Sequence, residues 1–417
     1  GEGAMTSELP QKLVAWRWRI FAATWLSYFG YYFCRKPYYI AKSTIATDLH
    51  FSGEQVGQIG AAYLVAYTIG QFANGALGQR AGARLLLLLG MGLSIGVNVG
   101  MGLSGTYLSF LVLMAVNGFA QSSGWSGNVG TMASWFGQRE RGQVMGIWAT
   151  NFQAGGVAAN TMAAWVLHHY GWQSAFFVGS LVLGGIWTFF LLNQRNRPED
   201  LGLPPVEEAR GQAAVDDGPM QWTSSLVTNM LLAGSFYFFL KFIRYALWSW
   251  APWFLERSFG LKGDDAGYYS TIFDVAGIFG VLFAGWVSDR FFASRRVGIC
   301  LMMTAGLVLS CVVLLFFGSS LPVFAVCLAL VGFTLYGPDA LMTGAGAMDI
   351  GSRRGAVAVA GVINGMGSLG SVMQELVIGK SSDDIQAVLR LLLGSALGAL
   401  VVIGIMGWRN RTGRASV

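Results

Sequence analysis

Twelve apolar stretches decide what this chain can become. They fall at roughly 17–41, 55–78, 83–104, 107–135, 142–166, 174–193, 226–256, 266–289, 296–318, 321–348, 355–380 and 386–408. Each comes near or exceeds the ~20 residues that a helix needs to cross about 30 Å of hydrocarbon. Inside lipid a segment must satisfy its own backbone hydrogen bonds, so open sheets are excluded and helices are left. The expected fold is therefore an all-α membrane protein of twelve transmembrane helices. Composition agrees where it bears on this: only 12% of residues are charged, about half the share of a soluble domain. The 58 glycines suit helices that approach closely in a bilayer.

One long hydrophilic segment, NQRNRPEDLGLPPVEEARGQAAVDDGP, interrupts the pattern between the sixth and seventh runs. Its Pro, Gly and charge mark a linker, which divides the chain into six-helix halves at 1–193 and 226–417 with residues 194–225 between them. Repeats support the division. GALGQRAGAR and GWVSDRFFASR share a G-x-x-x-[Q/D]-R pattern after a span, at Gly75 and Gly285. The Arg141-Gly142 and Arg354-Gly355 pairs, and Arg35 and Arg244, recur at nearly the same offset. Parallel repeats with a binding site at their interface are a transporter architecture.

Loop cations set orientation. Lys12, Arg17, Arg19, Arg80, Arg84, Arg139, Arg141, Arg195, Arg197, Arg210, Arg290, Arg295, Arg296, Arg353, Arg354, Arg409, Arg411 and Arg414 fall on one side. Lys42, Arg257, Lys262, Lys380 and Arg390 fall in the opposite loops. The positive-inside rule then makes both termini and the linker cytoplasmic, and it accounts for the net charge of +6 without a nucleic-acid partner. No signal-peptide pattern opens the chain, and GEGA ahead of Met5 reads as a cloning remnant.

Four cations remain inside spans: Arg35 and Lys36 in YYFCRKP, and Lys241 and Arg244, which share a helical face at i, i+3. Charge at such depth is costly and marks function. Arg35 alone could be an interfacial residue at the end of its helix, with Pro37 as a kink or stop, but its repeat mate Arg244 argues for a paired role. Two guanidiniums present planar forks matched to phosphate oxygens, so a small, strongly anionic ligand is expected. The competing reading is structural, with each arginine fastened to a buried carboxylate. Asp274 is the expected ion-pair partner of the central cations. Asp349 reads as interfacial, while Asp339 and Glu375 could balance a buried cation or carry a coupling proton. Nearby Tyr32, Tyr67, Trp125, Asn128, Tyr245, Trp248 and Tyr336 could touch a sugar or line a gate, though helix packing explains any one of them more simply.

Other motifs fail. GMGLSG at 100–105 and GMGSLG at 365–370 match G-x-G-x-x-G but follow no strand, so they read as packing glycines. No phosphate-binding G-x-x-x-x-G-K-[ST] occurs. His168 and His169, in a short external loop, have no third ligand for a metal. Cys34, Cys300, Cys311 and Cys327 read as small hydrophobes. No cofactor or enzymatic site is expected.

The segments YYFCRKP, SWFGQRERGQVMGIW, RPEDLGLPPVEEA, FIRYALWSWAPWFLERSFG and STIFDVAGIFGVLFAGWVSDR, with the glycine-rich run from Tyr336 to Ser371, resemble the organophosphate:phosphate antiporters of the major facilitator superfamily. These include bacterial glycerol-3-phosphate and hexose-phosphate transporters and animal sugar-phosphate exchangers. The resemblance implies that Arg35 and Arg244 hold phosphate and that Asp274 forms a switching ion pair. Two positions depart from it. Gln71 stands where the bacterial transporters carry a lysine, and Phe152 where they carry a histidine. The expected activity is exchange of a sugar phosphate or glycerol 3-phosphate for inorganic phosphate by a monomer in the bacterial inner membrane. Arg35 and Arg244 would clamp the ligand, Lys36 and Lys241 would add field, and Tyr32, Gln71, Trp125, Asn128 and Asp274 would supply contacts or switching. Two alternatives stay open: a sugar-phosphate sensor of the same fold, and a proton-coupled carrier of another anion.

Overall fold

The computed structural model describes residues 2–137, 144–145, 147–206, 221–291, 296–342 and 347–412. Arg139, Arg141, Arg210, Arg295 and Arg414 lie outside the described residues, as do the side chains of Arg80, Asp349, Arg353 and Arg354. The described chain is helical, with no strand among those residues. Its helices are α1 (Glu2–Tyr31), α2 (Lys36–Leu49), α3 (Gly53–Ala81), α4 (Ala83–Gly102), α5 (Tyr107–Gln121), α6 (Gly124–Trp135), α7 (Thr150–Tyr170) and α8 (Trp172–Asn193). Beyond residue 220 come α9 (Ser224–Arg257), α10 (Gly263–Phe291), α11 (Arg296–Phe317), α12 (Leu321–Leu341), α13 (Ala347–Lys380) and α14 (Ile385–Arg411).

These helices make twelve spans, because α1 with α2 and α5 with α6 are each one span broken in the middle. By length and apolar composition alone, seven described helices qualify as membrane spans: α4, α8, α9, α10, α11, α12 and α14. The first, second, fourth, fifth and eleventh spans fall short of that measure. In the first and fourth spans the break leaves short helices: α2 has 14 residues, α5 has 15 and α6 has 12.

Local chemistry sets the ends. Thr106 caps α5 by accepting from the Ser109 N–H, Thr223 caps α9 at Leu226, and Asp384 caps α14 at Gln386 and Ala387. Gly82 and Gly171, at φ of 83° and 92°, make the tight turns between α3 and α4 and between α7 and α8.

The chain divides into two compact units, residues 1–41 with 65–217 and residues 42–64 with 218–417. In the first, Ala23, Tyr28, Tyr31, Leu87, Met91, Leu183 and Phe190 form a buried cluster. In the second, glycines bring helices into backbone contact. A side chain at Gly280 would strike the Phe333 carbonyl and one at Gly332 the Phe273 carbonyl, so α10 and α12 touch reciprocally. Of the glycines at 365–370, two pack as expected, Gly367 against the Tyr237 ring and Gly370 against the Phe238 carbonyl, whereas Gly365 faces open space. All four cysteines are buried and free. His168 and His169 sit in the last turn of α7 rather than in a loop, and no metal-binding cluster is found among the described residues.

Candidate functional site

In the first unit the site is built on a broken helix. α1 stops at Tyr31, residues Tyr32–Cys34 form a single 3-10 turn, and α2 restarts at Lys36 with Pro37 in its first turn, where a missing N–H does no harm. The Arg35 N–H, which in an unbroken α-helix would serve the Tyr31 carbonyl, turns to Tyr32 at 3.1 Å. The carbonyls at the break accept from side chains. Gln121 Nε2 donates to Tyr31 O at 3.0 Å, while Asn117 Nδ2 and Asn98 Nδ2 donate to Cys34 O at 2.8 and 3.1 Å.

Arg35 is thereby aimed. Only 7% exposed, it donates through Nε to Gln121 Oε1 at 2.8 Å. Its guanidinium carbon lies 4.6 Å from the Tyr32 ring centre, 5.3 Å from Tyr67 and 6.0 Å from Tyr28, a seat of cation–π contacts. Trp125 meets the Tyr28 ring edge-on at 5.1 Å and also packs on Phe152. Gln71 is exposed, one turn beyond Tyr67 on α3. Lys36 is buried in the first turn of α2. Asn128 does something else. It is fully buried and its amide donates to Ser27 Oγ at 3.1 Å and Gly124 O at 2.9 Å, which ties α6 to α1.

In the second unit Arg244, midway along α9, donates to Asp339 Oδ2 on α12 at 3.0 Å. Its guanidinium carbon lies 5.1 Å from the Tyr336 ring centre and 5.6 Å from Tyr245. The expectation that Asp274 pairs with the central cations is corrected here. Asp274 accepts from the Tyr336 hydroxyl at 2.8 Å, so it fixes the ring on which Arg244 rests and the ion pair itself belongs to Asp339. Pro338, inside α12, removes one backbone donor beside this pair. Lys241, one turn before Arg244, has its ammonium 4.7 Å from the Tyr245 ring centre and 5.3 Å from Tyr237.

Lys42 also departs from expectation. It is no loop cation but a fully buried residue of α2. Its ammonium donates to Ser249 Oγ at 2.5 Å, lies 3.9 Å from Glu375 Oε2 and stands 3.5 Å from the Trp250 ring centre. This gives Glu375 a partner that sequence reasoning could not supply.

The polar residues missed from sequence are Ser94, Asn98, Asn117 and Gln121. A signal was present: 94 and 98, like 117 and 121, are i, i+4 pairs, so each pair marks one polar face on an apolar helix.

A model of the Major Facilitator Superfamily matches residues 20–375. The chain is 26% identical to the probable hexose phosphate transport protein of Chlamydia pneumoniae, over 89% of this chain and 87% of that protein. It is 28% identical to the glycerol-3-phosphate transporter of Bacillus subtilis, over 85% and 83%. It is 27% identical to the membrane sensor protein UhpC of Escherichia coli, over 87% and 85%. The fold superposes with a TM-score of 0.71, at 15% identity, on the inward-facing crystal structure of a bacterial homolog to the human lysosomal transporter Spinster, covering 94% of this chain and 95% of that one. Twelve spans, arginines set inside them and a family model that covers most of the sequence lead to one assignment: the chain is an integral membrane protein that belongs to the Major Facilitator Superfamily, a transporter fold rather than an enzyme.

Proposed function

We propose that this protein is a secondary transporter that exchanges an organophosphate for inorganic phosphate by alternating access. The organophosphate would be a sugar phosphate such as glucose 6-phosphate, or glycerol 3-phosphate. The observation that carries this reading is the seating of one arginine in each unit inside a membrane span, Arg35 on tyrosine faces beside an amide and Arg244 on a tyrosine face beside a carboxylate. Such cations are costly unless an anion repays them, and a guanidinium fork matches the oxygens of phosphate. Similarity to a hexose phosphate transport protein and a glycerol-3-phosphate transporter supports the same ligand class.

In this reading Arg35 and Arg244 clamp the phosphate that both exchanged ligands share. Asp339 is the resident anion on Arg244, against which the ligand competes. Lys36 and Lys241 add positive field, while Tyr32, Trp125 and Gln71 contact the ligand, and Asp274 acts through Tyr336. The protein works as a monomer in a bacterial inner membrane with both termini cytoplasmic, as the basic loops indicate. The sensor reading is favoured by one observation, the similarity to UhpC. Phosphate-loaded proteoliposomes distinguish the two. Exchange predicts uptake of labelled glucose 6-phosphate or glycerol 3-phosphate that needs internal phosphate. Ligand binding without such uptake supports a sensor, and uptake driven by a pH gradient with no internal phosphate supports a proton-coupled carrier.

A further inference from the structure

The break at Arg35 has a socket built for it. Three polar side chains from two neighbouring helices, Asn98 on α4 and Asn117 and Gln121 on α5, bond the interrupted segment, and Ser94 on α4 braces all three. All four are essentially fully buried. They also bond to one another: Ser94 Oγ donates to Asn117 Oδ1 at 2.5 Å, Gln121 Nε2 donates to Ser94 Oγ at 3.1 Å, and Asn98 Nδ2 donates to Ser94 O at 2.8 Å. Buried polar groups are mostly hydrogen-bonded, and such a network stiffens what it holds; among these four side chains Asn98 Oδ1 alone has no partner.

Gln121 stands at the centre and its orientation is fixed by its partners. Tyr31 O can only accept, so it must receive the Nε2 donor; Arg35 Nε can only donate, so it must meet Oε1. One amide thus grips both the last carbonyl of α1 and the guanidinium that emerges after the break. A glutamate in its place would turn a carboxylate oxygen toward a carbonyl. A leucine would leave two buried partners unmet.

We infer that Gln121 is the positioning residue for Arg35: with Asn117, Asn98 and Ser94 it holds the broken first span open and sets the guanidinium where phosphate must meet it. This rests on the proposed phosphate-binding role of Arg35. Because Gln121 acts on the group that binds the part common to all ligands, its loss weakens every phosphate ligand by one factor and leaves the ranking among sugar phosphates unchanged.

The test measures KM for inorganic phosphate, glucose 6-phosphate and glycerol 3-phosphate in exchange, together with binding of labelled inorganic phosphate to purified protein. The variants are Gln121→Leu, the isosteric Gln121→Glu and Arg35→Ala. Loss of a hydrogen bond to a charged group predicts KM increases on the order of tenfold for all three ligands in Gln121→Leu. A comparable increase is expected in Gln121→Glu, whose carboxylate competes for the guanidinium. A merely structural role would lower the maximal rate per milligram and leave KM unmoved, which would overturn the inference. An unchanged phosphate affinity in Gln121→Glu would overturn it as well, even if Gln121→Leu yields too little protein to assay. Should Arg35→Ala itself retain phosphate binding, the proposed site fails. Loss in Arg35→Ala with wild-type KM in both Gln121 variants sinks only the positioning role.

Discussion

Arg35 and Arg244 occupy matching places in the sequence repeat but are held differently, and the difference predicts different responses to substitution. Arg35 rests against a neutral amide, whereas Arg244 bonds a carboxylate at 3.0 Å. In Asp339→Asn the resident anion is gone and a phosphate ligand no longer has to compete for Arg244. A lower KM for inorganic phosphate is expected, by several-fold to tenfold, as hydrogen bonds to charged groups allow; initial rates of phosphate exchange would report it, and a raised KM would contradict the competition. Asp274→Asn should behave otherwise. It leaves the ion pair intact and loosens the Tyr336 ring, so a smaller and opposite shift is expected in the same assay. Arg35→Lys keeps the charge and loses the fork together with the Nε donor that Gln121 accepts, so a phosphate affinity reduced on the order of tenfold is expected, measured by binding of labelled phosphate. Both arginines were legible in the sequence because apolar runs expose any cation within them. Their partners were not, since sequence fixes depth along a helix and leaves open which neighbour it faces. For that reason Asp274 stood where Asp339 belongs.

Among the elements, the two halves of the first span have different surroundings. Residues 42–64, the end of that span and the start of the second, cluster with residues 218–417. Lys42 bonds Ser249 and faces Glu375, and Arg257 donates to Ser43 Oγ at 3.0 Å and Thr47 Oγ1 at 3.1 Å. A side chain at Gly57 would meet the Glu375 carbonyl, so α3 and α13 touch at backbone distance. A buried ion pair adds little net stability, yet removing one partner strands a charge at a cost of about 3–5 kcal/mol. Lys42→Met or Glu375→Gln alone should therefore lower the unfolding temperature in detergent clearly, and the double substitution should restore most of the loss; two additive losses would contradict the pairing. The long spans themselves were readable from hydropathy. The break at Tyr32–Cys34 was only hinted at by Pro37, because its cause lies in Asn98, Asn117 and Gln121 on other helices. Lys42 resembles a loop residue in the sequence for a related reason: a cation near the end of an apolar run looks interfacial until its carboxylate partner, more than three hundred residues away, is placed beside it.

For the whole molecule, an all-α fold of twelve spans followed from the sequence, and the match to the Major Facilitator Superfamily agrees with it. What periodicity could not give is where the first and fourth spans break into shorter helices. Function at this scale rests on one claim, that the arginine of each unit takes part in holding the phosphate common to both exchanged ligands. Equilibrium binding of labelled inorganic phosphate to the purified protein tests it most directly, comparing wild type with Arg35→Ala and Arg244→Ala, each checked for folding by its unfolding temperature. Either substitution alone is expected to reduce affinity by at least about a hundredfold, the scale on which losing a charge-assisted bidentate contact is felt. Wild-type phosphate affinity in either folded variant would contradict it.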